Sequence, residues 1–230
     1  MLRTGTTNQK TCSLALLIAA VASIMFLNHR RVLMDLEEDQ YLSVNFKDVD
    51  FSGVEFDSKE FDCCTFETCD FSEAVFKRCH FIDCDFTTCN LSVVKMSYSK
   101  FTDVCFRDSK LIGINWTEVA WPRLLFSSPV KFYQSILNDC SFYGLSLQEL
   151  VLKECKAHNV DFRDGDFSRS DFSYSDLSAC LFVNTNLSGA DFSEAIHYDI
   201  NINQNRITKA KFSRFEAIRL LDCLDVELVD

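Results

Sequence analysis

The sequence predicts an all-β solenoid, in which the chain winds into a square coil with one five-residue repeat on each side. Two observations lead to this prediction. A small residue or cysteine lies two positions before the large apolar centre in most repeats, as in CTFETCDFSEAVFKRCHF over residues 64–81. The centres themselves recur at every fifth position, for example at Phe66, Phe71, Phe76, Phe81 and Phe86.

A period of five fits neither regular secondary structure alone. In a helix, successive centres would be rotated by about 140° and scattered around the axis. On a flat strand, an odd step would place successive centres on opposite faces. The pattern is satisfied if the chain turns a corner in every repeat, so that four corners close a square. Residues one turn apart then stack at about the 4.8 Å spacing of neighbouring strands, and about 28 repeats make roughly seven turns.

The repeats run in two registers. The first extends from Phe46 to Trp116, and the second from Leu137 to Phe192 with Phe162, Phe167 and Phe172 among its centres. The offset between the registers indicates one residue inserted between Trp121 and Leu137. We interpret the break, WPRLLFSSPVKFY, as a projecting loop or as a simple bulge. The expected segments are therefore residues 1–33, a repeat body over 34–196 with a break near 117–136, and a tail over 197–230.

The first segment contains an uncharged apolar stretch, CSLALLIAAVASIMFL, over residues 12–27. It is somewhat shorter than the roughly 20 residues of a spanning helix, and basic residues flank both ends. Two interpretations stay open: a short membrane anchor, or a protein that starts at Met34, where the charge becomes acidic. A signal peptide cleaved near Ala22 is less favoured, because the apolar stretch continues past that position.

The tail, KFSRFEAIRLLDCLDVELVD, has apolar residues at helical spacing. We expect a short helix over about 213–223 and an extended strand over 226–229. Such a segment would cap the open end of the solenoid. The apolar positions are Phe215, Ile218, Leu221 and Leu224.

The cysteines follow the repeat. Cys64 and Cys84 are one predicted turn apart, as are Cys69 and Cys89, so each pair should stack inside the coil. Zinc needs four converging ligands, whereas steps of five send successive cysteines to different walls. Stacked pairs could reach disulfide distance, but packing of free thiols is favoured over metal binding or redox chemistry. Cys63 should face outward and is the best candidate for a reactive thiol.

The remaining chemistry-bearing residues indicate no enzyme. His29, His80, His158 and His197 are scattered, and none belongs to a metal-binding or nucleophile motif. A glycine-rich phosphate-binding loop is also missing from the sequence. We therefore expect a non-enzymatic protein with no catalytic residues, no metal and no cofactor.

The charge is strongly negative and unevenly distributed. The net charge is −11, with 15 acidic and 4 basic residues in 34–90 but 3 acidic and 6 basic residues in 91–131. Such a protein is a poor nucleic-acid binder but suits a basic surface, including one that holds DNA. The acidic residues are interpreted as a solvated face or as a partner-binding face. The outward acidic residues are Asp50, Glu55, Glu60, Glu67, Asp70, Asp85, Asp161, Asp166, Asp171, Asp176 and Asp191.

Residues 186–195, NLSGADFSEA, resemble the A(D/N)Lxx consensus of pentapeptide-repeat proteins, and the likeness extends over about 44–196. The resemblance implies a right-handed quadrilateral β-helix. The segments MDLEEDQ, HYDININQNRITKAKF and LDVELVD are similar to the quinolone-resistance (Qnr-type) and microcin-immunity (McbG-like) branch of that family.

This resemblance implies a cytoplasmic protein that mimics DNA and binds DNA gyrase or topoisomerase IV. It implies protection of that enzyme from quinolone-type inhibitors or toxins, dimerisation through the C-terminal tail, and no direct binding of nucleic acid. The alternative is a pentapeptide-repeat scaffold, soluble or tethered to a membrane through residues 12–27, that binds another protein.

Overall fold

The structure, a computed structural model, describes residues 37–122, 128–224 and 226–227. The chain forms an all-parallel β-solenoid of about eight turns, so the fold prediction is confirmed. The apolar stretch 12–27, interpreted as a possible anchor, lies outside the described residues. Within the described ranges, no helix combines the length and the apolar character needed to cross a membrane.

Short parallel strands form the sides of the coil, and each pairs with strands one turn away. The strands are β1 (Gln40–Leu42), β2 (Asn45–Lys47), β3 (Glu55–Asp57), β4 (Glu60–Asp62), β5 (Thr65–Glu67), β6 (Val75–Lys77), β7 (His80–Ile82), β8 (Asp85–Thr87), β9 (Lys100–Thr102), β10 (Val104–Arg107), β11 (Val130–Tyr133), β12 (Val151–Lys153), β13 (Asp191–Phe192) and β14 (Lys211–Phe212). The sheets have the orders β1-β4-β7-β9, β2-β5-β8-β10-β11-β12, β3-β6 and β13-β14. In the described part of the chain, 3-10 helices cover Trp116–Glu118 and Glu216–Leu221.

Repeat centres of successive turns stack in columns inside the coil, and several columns contain runs of aromatic rings. Phe66 lies on Phe86 with ring centroids 4.4 Å apart, and Phe86 lies on Phe106 at 5.0 Å. Centres on neighbouring sides of the coil meet edge to face, as for Phe66 and Phe71. Both geometries are favourable for aromatic pairs. The predicted centres Phe66, Phe71, Phe76, Phe81, Phe86, Phe162, Phe167 and Phe172 are all buried.

Many of the small inward positions hold Cys, Ser or Thr, and these side chains donate to the backbone of the previous turn. The thiol of Cys84 lies 3.3 Å from the carbonyl oxygen of Phe61. The hydroxyl of Ser99 makes the equivalent bond to Phe76 at 2.9 Å. Lys59 is a charged residue at an inward position of the repeat. Its ammonium group reaches the N-terminal end of the coil, where it bonds the carbonyl of Glu38 at 2.8 Å.

The corners are made by residues with positive φ, two positions after each centre. Cys63 has a φ of 53° and Asp83 a φ of 48°. At the Gly53 corner, with a φ of 67°, the N–H of Val54 bonds the carbonyl of Phe51 at 3.1 Å, as in a β-turn. Few residues other than glycine, Asn and Asp adopt this conformation readily, so the pairing between turns must stabilise it.

Val93 is the corner residue least suited to its backbone, because it is β-branched and has a φ of 61°. The left-handed region costs an ordinary residue roughly 1–2 kcal/mol, and Asn tolerates it better, so we expect Val93→Asn to raise the free energy of unfolding by about 0.5–1 kcal/mol. Urea denaturation would measure the change. Val75→Asn, in the extended strand β6, is the control and should not stabilise.

The register break adds six residues rather than one. Phe106 pairs with Phe132, 26 positions later, whereas Phe86 pairs with Phe106, 20 positions later. An insertion of one residue and an insertion of six residues shift a five-residue repeat by the same amount. The sequence pattern therefore cannot distinguish the two lengths. The stacking continues across the break, with Phe106 and Phe132 centroids 5.3 Å apart.

Parallel pairing continues beyond residue 196. Asp191 pairs with Lys211, and Phe192 stacks on Phe212 with centroids 5.1 Å apart. Tyr198 is fully buried next to these rings. The helix Glu216–Leu221 follows, as the sequence predicts for this segment. Val226 and Glu227 do not form the expected strand, and residues 228–230 lie outside the described part of the chain.

Candidate functional site

Two pairs of the predicted acidic residues stack in columns that last for two turns and are then interrupted. Asp50 pairs with Asp70, but the column continues with Asn90 and Lys110. On another side, Asp171 pairs with Asp191, and the next residue in the column is Lys211. The surface therefore carries short acidic runs rather than one unbroken line of charge.

Most of the aspartates have a structural role that sequence reasoning missed. Each of these carboxylates accepts a hydrogen bond from the backbone N–H two residues later, at 2.8–3.2 Å. This is an Asx-turn, which Asp followed by Phe or Leu and then Ser is suited to form. The aspartates are only partly exposed as a result. They are Asp50, Asp70, Asp166, Asp171, Asp176 and Asp191.

Asp161 has the same turn contact and an added charge partner. Arg163 donates to both of its carboxylate oxygens, at 2.9 and 2.7 Å. The hydrogen bonds from Arg163 hold the pKa of Asp161 below its usual value, despite an opposing effect of burial. This carboxylate therefore stays ionised at neutral pH, but its charge is largely matched by a cation.

The acidic residues outside these turns lie in the first turns of the coil. Glu55 and Asp85 are exposed, and Glu60 and Glu67 are half-buried. Glu67 forms an ion pair with Lys47 at 3.0 Å. Exposed ion pairs of this kind contribute little to stability, so these four residues are the best placed to contact a partner.

Basic residues encircle the rod after the first acidic turns. Lys95, Lys100, Arg107 and Lys110 lie one turn beyond Val75, His80, Thr87 and Asn90, respectively, on four successive sides. Arg107 also lies over the ring of Tyr133, 4.5 Å from its centroid. The positive middle segment seen in the sequence is therefore a belt in space, with acidic turns on both sides of it.

The inward cysteines are free and buried, as predicted for packing residues. Burial raises the pKa of Cys140, Cys155 and Cys180 to about 12. A thiol is nucleophilic and metal-binding chiefly as the thiolate. These side chains therefore act as small core residues and as weak hydrogen-bond donors.

Cys63 is exposed, as expected, but its surroundings oppose the reactivity predicted for it. A hydrogen bond with Asp62 raises the pKa of the Cys63 thiol, with smaller contributions from desolvation and from the charges of Asp62 and Asp83. We expect Asp62→Asn to increase the rate of alkylation of Cys63 by iodoacetamide about two- to five-fold at pH 8. Peptide mass spectrometry would measure the rate. An unchanged rate in Asp62→Asn, with Asp57→Asn as the control, would contradict this account.

The tail presents apolar side chains to solvent. Phe215 is 90% exposed and Ile218 is 52% exposed. Leu221 and Leu224, the other two residues predicted for a dimer contact, are partly buried. Isolated exposed apolar residues are common, but a phenylalanine this exposed beside a second apolar residue favours a contact with another chain.

Comparisons with known proteins agree on one family. The family model described as the pentapeptide repeat region matches residues 59–129 and 119–192. No curated protein sequence matches the chain significantly.

Solved structures with similar folds include the following two. A trypsin-treated variant of QnrB1, a plasmid-mediated fluoroquinolone resistance protein, has a TM-score of 0.56 and 21% identity, covering 83% of this chain and 92% of its own. HetL, a pentapeptide repeat protein involved in heterocyst differentiation regulation in the cyanobacterium Nostoc sp. strain PCC 7120, has a TM-score of 0.60 and 14% identity, with coverage of 76% and 75%. At these identities the likeness concerns the fold.

Proposed function

Because the chain belongs to the pentapeptide-repeat family, we propose that it binds a type II topoisomerase, DNA gyrase or topoisomerase IV, in place of DNA. In this role it protects the enzyme from quinolone-type inhibitors or toxins. The protein acts in the cytoplasm as a homodimer and does not itself bind nucleic acid. The observation that carries the proposal is the acidic surface of the first turns on a narrow solenoid.

Charge complementarity supports this partner. A surface that holds DNA is lined with Lys and Arg, which attract an acidic rod as they attract phosphates. Glu55, Glu60 and Asp85 present carboxylates on the first turns without being needed for an Asx-turn. The fold likeness to a fluoroquinolone resistance protein and the sequence likeness of the tail to the Qnr-type branch point in the same direction.

A supercoiling assay tests the proposal. Purified protein should restore supercoiling by gyrase in the presence of a fluoroquinolone. The combined variant Glu55→Gln, Glu60→Gln and Asp85→Asn should lose most of this rescue, because complementary charge governs encounter and orientation. A matched control removes three exposed carboxylates elsewhere, with Asp108→Asn, Asp139→Asn and Glu154→Gln, and should retain it.

Two outcomes would overturn the proposal. Absence of rescue by an excess of wild-type protein, with both gyrase and topoisomerase IV, would exclude protection. Equal loss of rescue in the two triple variants would show that total charge, rather than the first turns, matters. Circular dichroism of both variants checks that they remain folded.

The proposed dimer has a separate test. Phe215→Glu places a charge on the most exposed apolar side chain of the tail, and burying that charge in an interface would be costly. We expect sedimentation to detect a dimer of the wild-type protein and a monomer of Phe215→Glu at micromolar concentration. A monomeric wild-type protein, or a variant that still dimerises, would contradict this assignment.

A scaffold that binds a different protein is the second candidate. The basic belt and the two-turn limit of the acidic columns favour it, because neither resembles the uniform charge of DNA. The fold likeness to HetL, a protein involved in differentiation regulation, is compatible with it. This candidate predicts no contact with gyrase, and fractionation of cells would test whether the protein is tethered to a membrane.

A further inference from the structure

One pair of cysteines stacks inside the coil between two successive turns. Thr65 is in register with Asp85, and the N–H of Asp85 bonds the carbonyl of Cys64 at 3.1 Å. Cys64 and Cys84, the residues just before these two, therefore lie side by side on neighbouring strands. Such strands are about 4.8 Å apart, within the roughly 4.4–6.8 Å that a disulfide spans between Cα atoms. Cys64 and Cys84 form the first pair.

A second pair repeats this arrangement on the next side of the coil. Asp70 is in register with Asn90, whose N–H bonds the carbonyl of Cys69 at 3.0 Å. Cys69 and Cys89, the second pair, are therefore also side by side. All four thiols are buried. The two pairs connect the same two turns of the solenoid, on adjacent sides.

The two thiols of each pair contact each other and differ in acidity. A hydrogen bond from Cys84 lowers the pKa of Cys64 to about 7, and the same bond raises the pKa of Cys84. In the second pair, a hydrogen bond from Cys69 lowers the pKa of Cys89 and raises that of Cys69. The thiolate is the form that reacts with oxidants. Each pair therefore combines one sulfur that ionises readily with a neighbour that retains its proton.

Two other inward cysteines have serine one turn away. The N–H of Cys79 bonds the hydroxyl of Ser99 at 3.0 Å, and the N–H of Cys155 bonds the hydroxyl of Ser175 at 2.9 Å. Burial raises the pKa of both thiols. These two residues are as buried as the paired cysteines, so they are internal controls. The stacked contact distinguishes the two pairs from cysteines that only fill the core.

We propose that the two pairs are sites of reversible oxidation, at which a peroxide converts each pair of stacked thiols into a disulfide that joins the two turns. The thiolate attacks a peroxide oxygen, which forms a sulfenic acid and releases hydroxide; this takes up the proton that the thiol has lost and becomes water. The partner thiol then attacks the sulfenic sulfur, the S–S bond forms and a second water leaves. Two electrons pass from the sulfurs to one hydrogen peroxide, so two thiols and one peroxide give one disulfide and two waters.

The disulfides join turns that carry part of the acidic surface, namely Glu60, Glu67 and Asp85. Small oxidants reach the buried sulfurs when a turn opens locally. In a solenoid each turn is stabilised by its neighbours alone, so covalent bonds on two adjacent sides oppose further opening between these turns. A thiol reductant restores the free cysteines by exchange. The stability of this part of the coil therefore follows the redox state of its surroundings.

Peptide mapping of the full chain with Cys63→Ser tests the proposal. This change removes the exposed thiol next to the first pair. The folded protein is treated with hydrogen peroxide in the presence of EDTA, remaining thiols are alkylated, and the chain is cleaved after its aromatic residues. Phe66 and Phe86 each lie between a cysteine of the first pair and one of the second, so this cleavage separates the two pairs. We expect one joined peptide for each pair, and both should disappear after reduction.

The rate and the stability give two further readouts. Joining of the first pair should be about tenfold faster at pH 8 than at pH 6, because the thiolate fraction rises through the pKa of Cys64, about 7. Oxidation should raise the melting temperature by at least about 5 °C, since each disulfide closes a loop of roughly 20 residues.

Matched variants assign these effects to the pairs. Cys84→Ser should abolish the joined peptide of the first pair, keep that of the second pair and reduce the rise in melting temperature. Cys79→Ser removes an equally buried thiol and should change none of these results. Serine occupies equivalent inward positions, such as Ser99, so both variants are expected to fold. Circular dichroism of the reduced proteins checks this, and Cys64→Ser is a second variant of the first pair.

The proposal is wrong if peroxide leaves the folded protein without joined peptides while it oxidises free cysteine in the same solution. It is also wrong if the sulfurs proceed to sulfinic acid without joining. Joined peptides that contain Cys79 or Cys155 as often as the paired cysteines would show that cross-linking occurs in the unfolded chain rather than between stacked turns.

Discussion

Phe86→Ala is expected to lower the free energy of unfolding by about 3–5 kcal/mol, the range for removal of a fully buried phenylalanine. Phe86 is completely buried. Its ring stacks between Phe66 at 4.4 Å and Phe106 at 5.0 Å, and it meets Phe81 at 5.7 Å. The substitution removes these contacts and leaves a cavity that the flanking turns cannot close, because their spacing is set by backbone hydrogen bonds.

Urea denaturation followed by circular dichroism measures this loss. Phe86→Leu should be less destabilising, since it keeps much of the volume. Leu42→Ala, at a side chain that is 68% exposed, is the control and should change stability by less than about 0.5 kcal/mol. A loss below about 1 kcal/mol for Phe86→Ala would show that the aromatic column is not a main source of stability.

Gly165→Ala is expected to destabilise by about 1–3 kcal/mol, although it adds only one methyl group. Gly165 occupies a small inward position. A Cβ atom there would overlap Cε2 of Phe167 and lie 2.9 Å from the carbonyl oxygen of Leu145. Phe167 is fully buried and the carbonyl belongs to the paired backbone, so neither moves without disturbing the neighbouring turn.

Gly144→Ala separates this steric effect from the backbone effect. Gly144 has a φ of 68°, and a Cβ atom added to it would meet nothing within 4 Å. Its substitution should therefore cost about 1–2 kcal/mol from the left-handed conformation alone. Gly165 has no such backbone constraint. The double variant Gly165→Ala, Phe167→Leu should lose less stability than the sum of the losses in the two single variants. Strict additivity of the two changes would refute the proposed clash.

The period of five is sufficient to predict the centres and the stacking, because both follow from turning one corner per repeat. The period cannot give the size of the inserted loop. A loop longer or shorter by five residues would leave the centres on its two sides, such as Phe106 and Phe132, in the same register. The sequence also does not reveal that the corner residues have positive φ. Asp, Cys, Val and Arg all occupy corners, and these residue types share no preference for that conformation.

The candidate site is less predictable than the fold. The repeat predicts that Asp166 and Asp176 face outward as free charges, but a side chain one position before a centre also reaches the backbone two residues later. His158 and His197 look scattered in the sequence. They meet at Asp176 through steps of 18 and 21 residues, which the regular spacing of 20 does not bring to notice.

The direction of the backbone hydrogen bonds gives the molecule unequal mechanical properties. Among the described residues, strands pair with strands one turn away, so these bonds run along the axis of the coil. Tension applied between the two ends loads the bonds of a terminal turn first, and turns are released one after another. Each release of 20 residues frees about 65–70 Å of chain, and the turn between Phe106 and Phe132 frees more because it contains 26 residues. The solenoid is thus weak in extension along its axis, whereas lateral compression is resisted by the closely packed rings of its interior.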